Sequence, residues 1–143
     1  MSLRGRRGER ASAVILAPLA VVIVVFLGSI AVDSTALFLT RRSLSDAAAA
    51  AANDAASAGF DADRFATTGE VTIDAARAAR VARASVAAQG RQLPDDVAIQ
   101  VRTTTVDGEP VVEVTLTATA TGVVLRRDTT LHATASAHAV VAP

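Results

Sequence analysis

Between Arg10 and Asp33 the chain runs for twenty-two residues without a charge, ASAVILAPLAVVIVVFLGSIAV, and few folds accommodate such a run. At about 1.5 Å per residue, a helix of this length is roughly 33 Å long, enough to cross the ~30 Å hydrocarbon of a bilayer. A core helix of a soluble protein rarely runs this far without a polar face, so a membrane span over residues 11–32 is the first expectation. Arg4, Arg6, Arg7 and Arg10 precede the run, Asp33 closes it, and only Arg41 and Arg42 follow nearby. The excess of arginine on the N-terminal side predicts a cytoplasmic N-terminus (residues 1–10), with everything beyond Asp33 outside the cell membrane. Arg10 and Asp33 then mark the two membrane boundaries. The alternative is a secretory signal peptide cut after Ser29-Ile30-Ala31, although the run exceeds the ~7–15 apolar residues usual in such a peptide. Pro18 and Gly28 are both tolerated in membrane helices, and Gly28 can admit a neighbouring helix.

Past Asp33 no strong helix stop occurs until Gly59, and nine of the twelve residues from Ala47 to Ala58 are alanine, the best helix former. Leu37, Leu44, Ala48, Ala51, Ala55 and Ala58 recur at spacings of three, four or seven, which places them on one narrow, small-sided face. Arg42 and Asp46 stand four apart on another. Two readings stay open. In one, residues 33–58 prolong the membrane helix into a rod whose face of Leu44, Ala48, Ala51 and Ala55 packs closely against a partner protein. In the other, Ser43 caps a separate short helix that covers the protein's own sheet.

The remaining residues, 59–143, read as a small extracytoplasmic α+β head. Phe60–Glu70 is polar and turn-rich and is expected to be a connection. The segment from Ile73 to Gln89 is expected to be a helix, with Ile73, Ala76, Ala79 or Arg80, Arg83, Val86 and Ala87 as its periodic positions, ended by Gly90 with Pro94 beyond. Arg77, Arg80 and Arg83 form a stripe along it, read as a solvated face. From Val97 the period becomes two: Val97, Ile99 and Val101, then an Asp107-Gly108 turn, then Val112, Val114, Leu116, Ala118 and Ala120. A third strand carries Leu131, Ala133, Ala135, Ala137 and Ala139 against His132, Thr134, Ser136 and His138. The fold expected is one membrane helix extended by an alanine-rich helix, then one further helix and a three-stranded antiparallel sheet.

Composition removes several kinds of function. Among 143 residues the 14 basic side chains are all arginine and balance 14 acids. The first ten residues carry net +3 and residues 33–143 net −3, so the basic end is local and nucleic-acid binding is not expected. Without cysteine there is no disulfide, thiol nucleophile or Cys-ligated zinc. His132 and His138 are roughly 20 Å apart on a strand at ~3.3 Å per residue, too far to share a metal. Asp61, Asp63, Asp95 and Asp96 sit in turns, where Asp bonds locally. No phosphate loop or nucleophile elbow is present. The expectation is a protein with no catalytic, cofactor or metal residues and no small-molecule substrate.

Three segments together carry a resemblance: Glu9-Arg10-Ala11-Ser12, the apolar run ending in Ala31-Val32-Asp33, and the stretch LTRRSLSDAAAA from Leu39 to Ala50. In order and spacing, over about residues 8–58, the chain resembles TadE/TadG-like proteins of the tight-adherence (Flp) pilus system. Those have a Glu-Arg-Gly-Ser entry, an apolar helix closing in Val-Asp, and an Arg-rich then Asp-Ala-Ala-rich continuation. Here Ala11 stands in the place of the Gly, and no acid lies inside the apolar run where pilin-type members have a glutamate. The resemblance implies a pseudopilin-like or minor-pilin-like subunit, with other pilin-like or assembly proteins as partners through the helix. Gly8, preceding Glu9, is then the candidate processing site. The rival readings are a secreted binding module, or a membrane-anchored accessory scaffold of another envelope complex.

Overall fold

The computed structural model describes residues 6–124 and 126–139, with side chains from Leu16 onward. Its first element, α1 (Arg6–Gly59), is a single helix of 54 residues that passes through Pro18 and through Arg41, Arg42 and Ser43 without a break. There is no separate helix capped by Ser43. Two short helices follow, α2 (Ala62–Thr68) and α3 (Ala75–Ala88), then a 3-10 turn at Gly90–Gln92. Strands β1 (Ala98–Val106), β2 (Glu109–Thr121) and β3 (Asp128–His138) form an antiparallel sheet in the order β1-β2-β3.

The sheet follows from alternation. Ile99 pairs with Leu116 and Leu116 with Ala133, while Val101, Val114 and Ala135 form the next row, so one face is continuously apolar. Gln100, Thr115 and Thr134 lie on the other face, where the Thr115 and Thr134 hydroxyls bond to each other at 3.1 Å. The expected Asp107-Gly108 turn is present with both residues at positive φ, 53° and 86°, the geometry of a type I′ hairpin joining Val106 to Glu109.

The second half of α1 lies on the apolar face of this sheet, and α3 packs beside it. Leu44, Ala48, Ala51 and Ala55 have no exposed surface, and neither do Ala47 and Ala52. The expectation that this face awaits a partner protein is therefore corrected: β2, β3 and α3 of the same chain already cover it. The buried face is also broader than a stripe at spacings of three and four, because α1 is enclosed on two sides, by the sheet and by α3. Leu44, Leu116, Val112 and Val114 supply the large side chains of the core, each contributing about 1.5–3 kcal/mol on full burial. The alanines allow the helix to approach the sheet closely. The head thus begins at Asp33, and a boundary at residue 59 does not separate two units.

Two local expectations change. The polar connection after Phe60 contains α2, capped by Asp61, whose carboxylate accepts from the Arg64 N–H at 3.0 Å, and ended by Gly69 at φ 70°. In α3 the buried positions are Ala78, Ala82 and Val86, not Ala76, Ala79 and Arg83. Asp74 caps this helix, accepting from Ala76 and Arg77 N–H at 2.9 and 3.0 Å, and so fixes its start at Ala75, two residues past Ile73. Gly90 does not end it in a left-handed conformation; the chain tightens into the 3-10 turn instead.

Candidate functional site: the membrane span and its junction with the head

From Leu16 to Val32, α1 leaves the head behind. Its large apolar side chains stand exposed, Val24 at 68% and Phe26 at 57%, and this is one helix near the N-terminus long and apolar enough to cross a membrane. Water would hydrate such a surface at a cost of about 25 cal/mol for each Å² left exposed, whereas lipid would not. The hydroxyls of Ser29, within the segment, and of Thr35, just past it, bond back to the helix. The Ser29 hydroxyl donates to the Val25 carbonyl at 2.8 Å, and Thr35 donates to Ala31 at 2.9 Å, the arrangement that hydrocarbon demands of a hydroxyl. A Cβ added at Gly28 would meet nothing, so that position is open toward any neighbour.

At the end of the span stands Asp33, only 6% exposed. The β2–β3 connection folds against it. Val124 donates its N–H to Asp33 Oδ1 at 2.8 Å, and Gly122 comes so close that an added Cβ would lie 3.0 Å from Oδ2 and 3.2 Å from Cγ. The connection is itself closed by a Gly122 N–H to Arg127 carbonyl bond at 2.9 Å and by the Thr121 hydroxyl on Asp128 Oδ1 at 2.7 Å. A carboxylate buried beside an apolar span requires donors, and backbone amides of the loop supply one here. Asp33 is thus more than a charge that marks an interface.

At the other end of the head, Gly59 lets α1 and α3 meet: a Cβ there would lie 2.9 Å from Ile73 Cγ2 and 3.0 Å from Ala78 Cβ. The Ser85 hydroxyl donates to Asp54 between the same helices at 2.6 Å. From Asp33 to Gly59, α1 covers about 39 Å at ~1.5 Å per residue, and β2 covers about 40 Å at ~3.3 Å per residue. Helix and strand therefore run side by side for the same distance. The β2–β3 loop lies at the Asp33 end, beside the apolar run, and the Asp107-Gly108 turn at the far end.

The remaining sites read from the sequence are dispersed. Gly8, Glu9 and Arg10 lie in the first turns of α1, while their side chains, with Arg4 entire, fall outside the described residues. Arg42 and Asp46 do pair, but at 3.9 Å with both side chains more than 70% exposed, a contact worth little. Arg77, Arg80 and Arg83 are exposed along α3. His132 accepts from or donates to the Thr117 hydroxyl at 3.1 Å, and His138 lies 3.3 Å from Glu109. Among the described residues no three His, Asp or Glu side chains gather as a metal site. A cleft of about 720 Å³ lies between Glu70–Ile73 and the β1–β2 hairpin, and its lining pairs no base with a nucleophile. Sequence reading missed Gly122 and Val124. Their only signal was an apolar and basic turn, GVVLRR, between two strands.

No family model, no curated protein and no solved structure matches the chain.

Proposed function

We propose that this chain is a membrane-anchored structural or assembly subunit, pseudopilin-like or minor-pilin-like, of a pilus of the tight-adherence (Flp) type or a related secretion apparatus. The observation that carries the reading is α1 itself. One unbroken helix is lipid-compatible in its first half and forms the centre of an α+β head in its second. The resemblance over residues 8–58 supports the choice of apparatus. Because the alanine face is occupied within the chain, assembly contacts fall to what α1 leaves exposed: the apolar residues from Leu16 to Val32, open at Gly28, with Phe38 and Leu39 just beyond. Helices packed in a membrane associate through such surfaces by close van der Waals contact. No chemistry is asked of the head.

A photo-activatable crosslinker placed at Val24 or Leu39 in the native membrane tests this, with adducts identified by mass. The expected adduct is a second copy of this chain or another single-span subunit of the same apparatus. Adducts to lipid alone would exclude a helix-packed assembly, and a mature protein that begins at Val32 would replace the reading by a secreted module.

A further inference from the structure

The β2–β3 loop presents its valines to solvent: Val123 is 66% and Val124 49% exposed, although Val124's own amide is held by the buried Asp33. Single exposed apolar residues are ordinary on a protein surface. These two differ in where they stand. The hydrogen bond to Asp33 places them level with the end of the apolar span, beside a helix whose neighbouring residues, Ile30 and Val32, are themselves exposed. Arg126 and Arg127 follow one residue later in the sequence, both exposed, and neither forms an ion pair with any described residue. The two acids nearby are engaged, Asp33 with Val124 and Asp128 with Thr121.

The uncovered side of α1 has the same order. Phe38 and Leu39, 64% and 56% exposed, continue the apolar surface of the span past Asp33, and the exposed Arg41 and Arg42 come next. Apolar residues followed by arginine, on the loop beside Asp33 and on the helix within the next turns, match the order of a leaflet: hydrocarbon, then anionic phosphate.

We propose that the membrane end of the head is a second membrane contact, in which Val123 and Val124 enter the leaflet at the Asp33 end of the span while Arg126 and Arg127 bind lipid phosphates. The helix then does not hold the head clear of the bilayer. The β2–β3 loop seats it on the surface, and Asp33, closed off by that loop, is shielded from lipid. This inference rests on the membrane reading of α1, and its test separates the two.

Since the chain has no cysteine, single cysteines introduced as Val24→Cys, Val123→Cys and Asp107→Cys give unambiguous labelling sites on the full chain. Each is labelled with an environment-sensitive fluorophore and reconstituted in phosphatidylcholine vesicles containing phosphatidylglycerol and a nitroxide lipid quencher. The expected result is strong quenching at Val24, quenching at Val123 several-fold above that at Asp107, and none above background at Asp107. Quenching at Val24 with Val123 no different from Asp107 overturns the second contact and leaves the span intact. No quenching at Val24 removes the span and the contact together. Adding Arg126→Glu and Arg127→Glu to the Val123 reporter is expected to lower its quenching several-fold, and more in vesicles that contain the anionic lipid. An unchanged signal would overturn the role given to phosphate.

Discussion

The amide of Val124 and the carboxylate of Asp33, 91 residues apart in sequence, meet at 2.8 Å. This bond joins the end of the apolar half of α1 to the far connection of the sheet, and it is the point at which the span becomes part of the head.

Replacing Asp33 by alanine removes that acceptor and is expected to lower the stability of the head by about 1–2 kcal/mol, the scale of one charge-assisted hydrogen bond with a partly buried partner. Amide exchange at Val124 should accelerate well beyond that of the strand interior. Asp33→Asn keeps an acceptor oxygen and should lose less. Equal exchange at Val124 in the wild type and Asp33→Ala would show the contact to be energetically empty.

Ala48 and Ala51 lie wholly inside the protein. Introducing Arg at either position asks for a charge among Leu and Val side chains, and the head should lose on the order of 4 kcal/mol or more, a large part of the stability of a domain this small. Circular dichroism of the full chain should show loss of cooperative unfolding and of strand signal. A folded head that merely fails to join partners would return the alanine face to a binding role.

Gly59 sits where an added methyl meets Ile73 and Ala78. Alanine gains up to ~1 kcal/mol of helix propensity, but overpacking costs about 1–3 kcal/mol, and the position is at the helix end, where propensity counts least. A net loss near 1 kcal/mol is expected for Gly59→Ala. Combining it with Ile73→Ala should recover part of that loss, a coupling read directly from a double-mutant cycle.

The four arginines ahead of the apolar run predict a cytoplasmic N-terminus. Single cysteines at Ser2 and at Thr104, which is exposed on β1, should be respectively shielded from and reactive to an impermeant thiol reagent on intact cells. The reverse pattern would place the head inside.

What the sequence disclosed and what it withheld divide along physical lines. The apolar run, the period-two strands and the Asp107-Gly108 turn each carry a local signal, since spacing alone determines which side of an element is apolar. The helix passing unbroken through Arg41, Arg42 and Ser43 follows from the absence of any stop, yet Ser43 is also a good cap, and only packing against the sheet decides between the two. A face of small residues says that something approaches closely. It does not say whether that something belongs to the same chain, so Leu44, Ala48, Ala51 and Ala55 were legible as a packing face and not as the core. In α3, thirteen of the fourteen residues are alanine, valine or arginine, and the period is blurred; Asp74 is what fixes the register. The contact between Asp33 and Val124 is wholly non-local and leaves no pattern in either segment.

Because α1 crosses from the apolar segment into the core of the head without a joint, the two share one rotational phase. Each residue of an α-helix turns about 100° around its axis. Adding or deleting a single residue between Ile30 and Asp33 would therefore swing the whole sheet by that angle relative to whatever grips the span, with every internal contact of the head preserved. The helix works as a keyed shaft: torque or tension applied at the sheet reaches the apolar half with its direction intact.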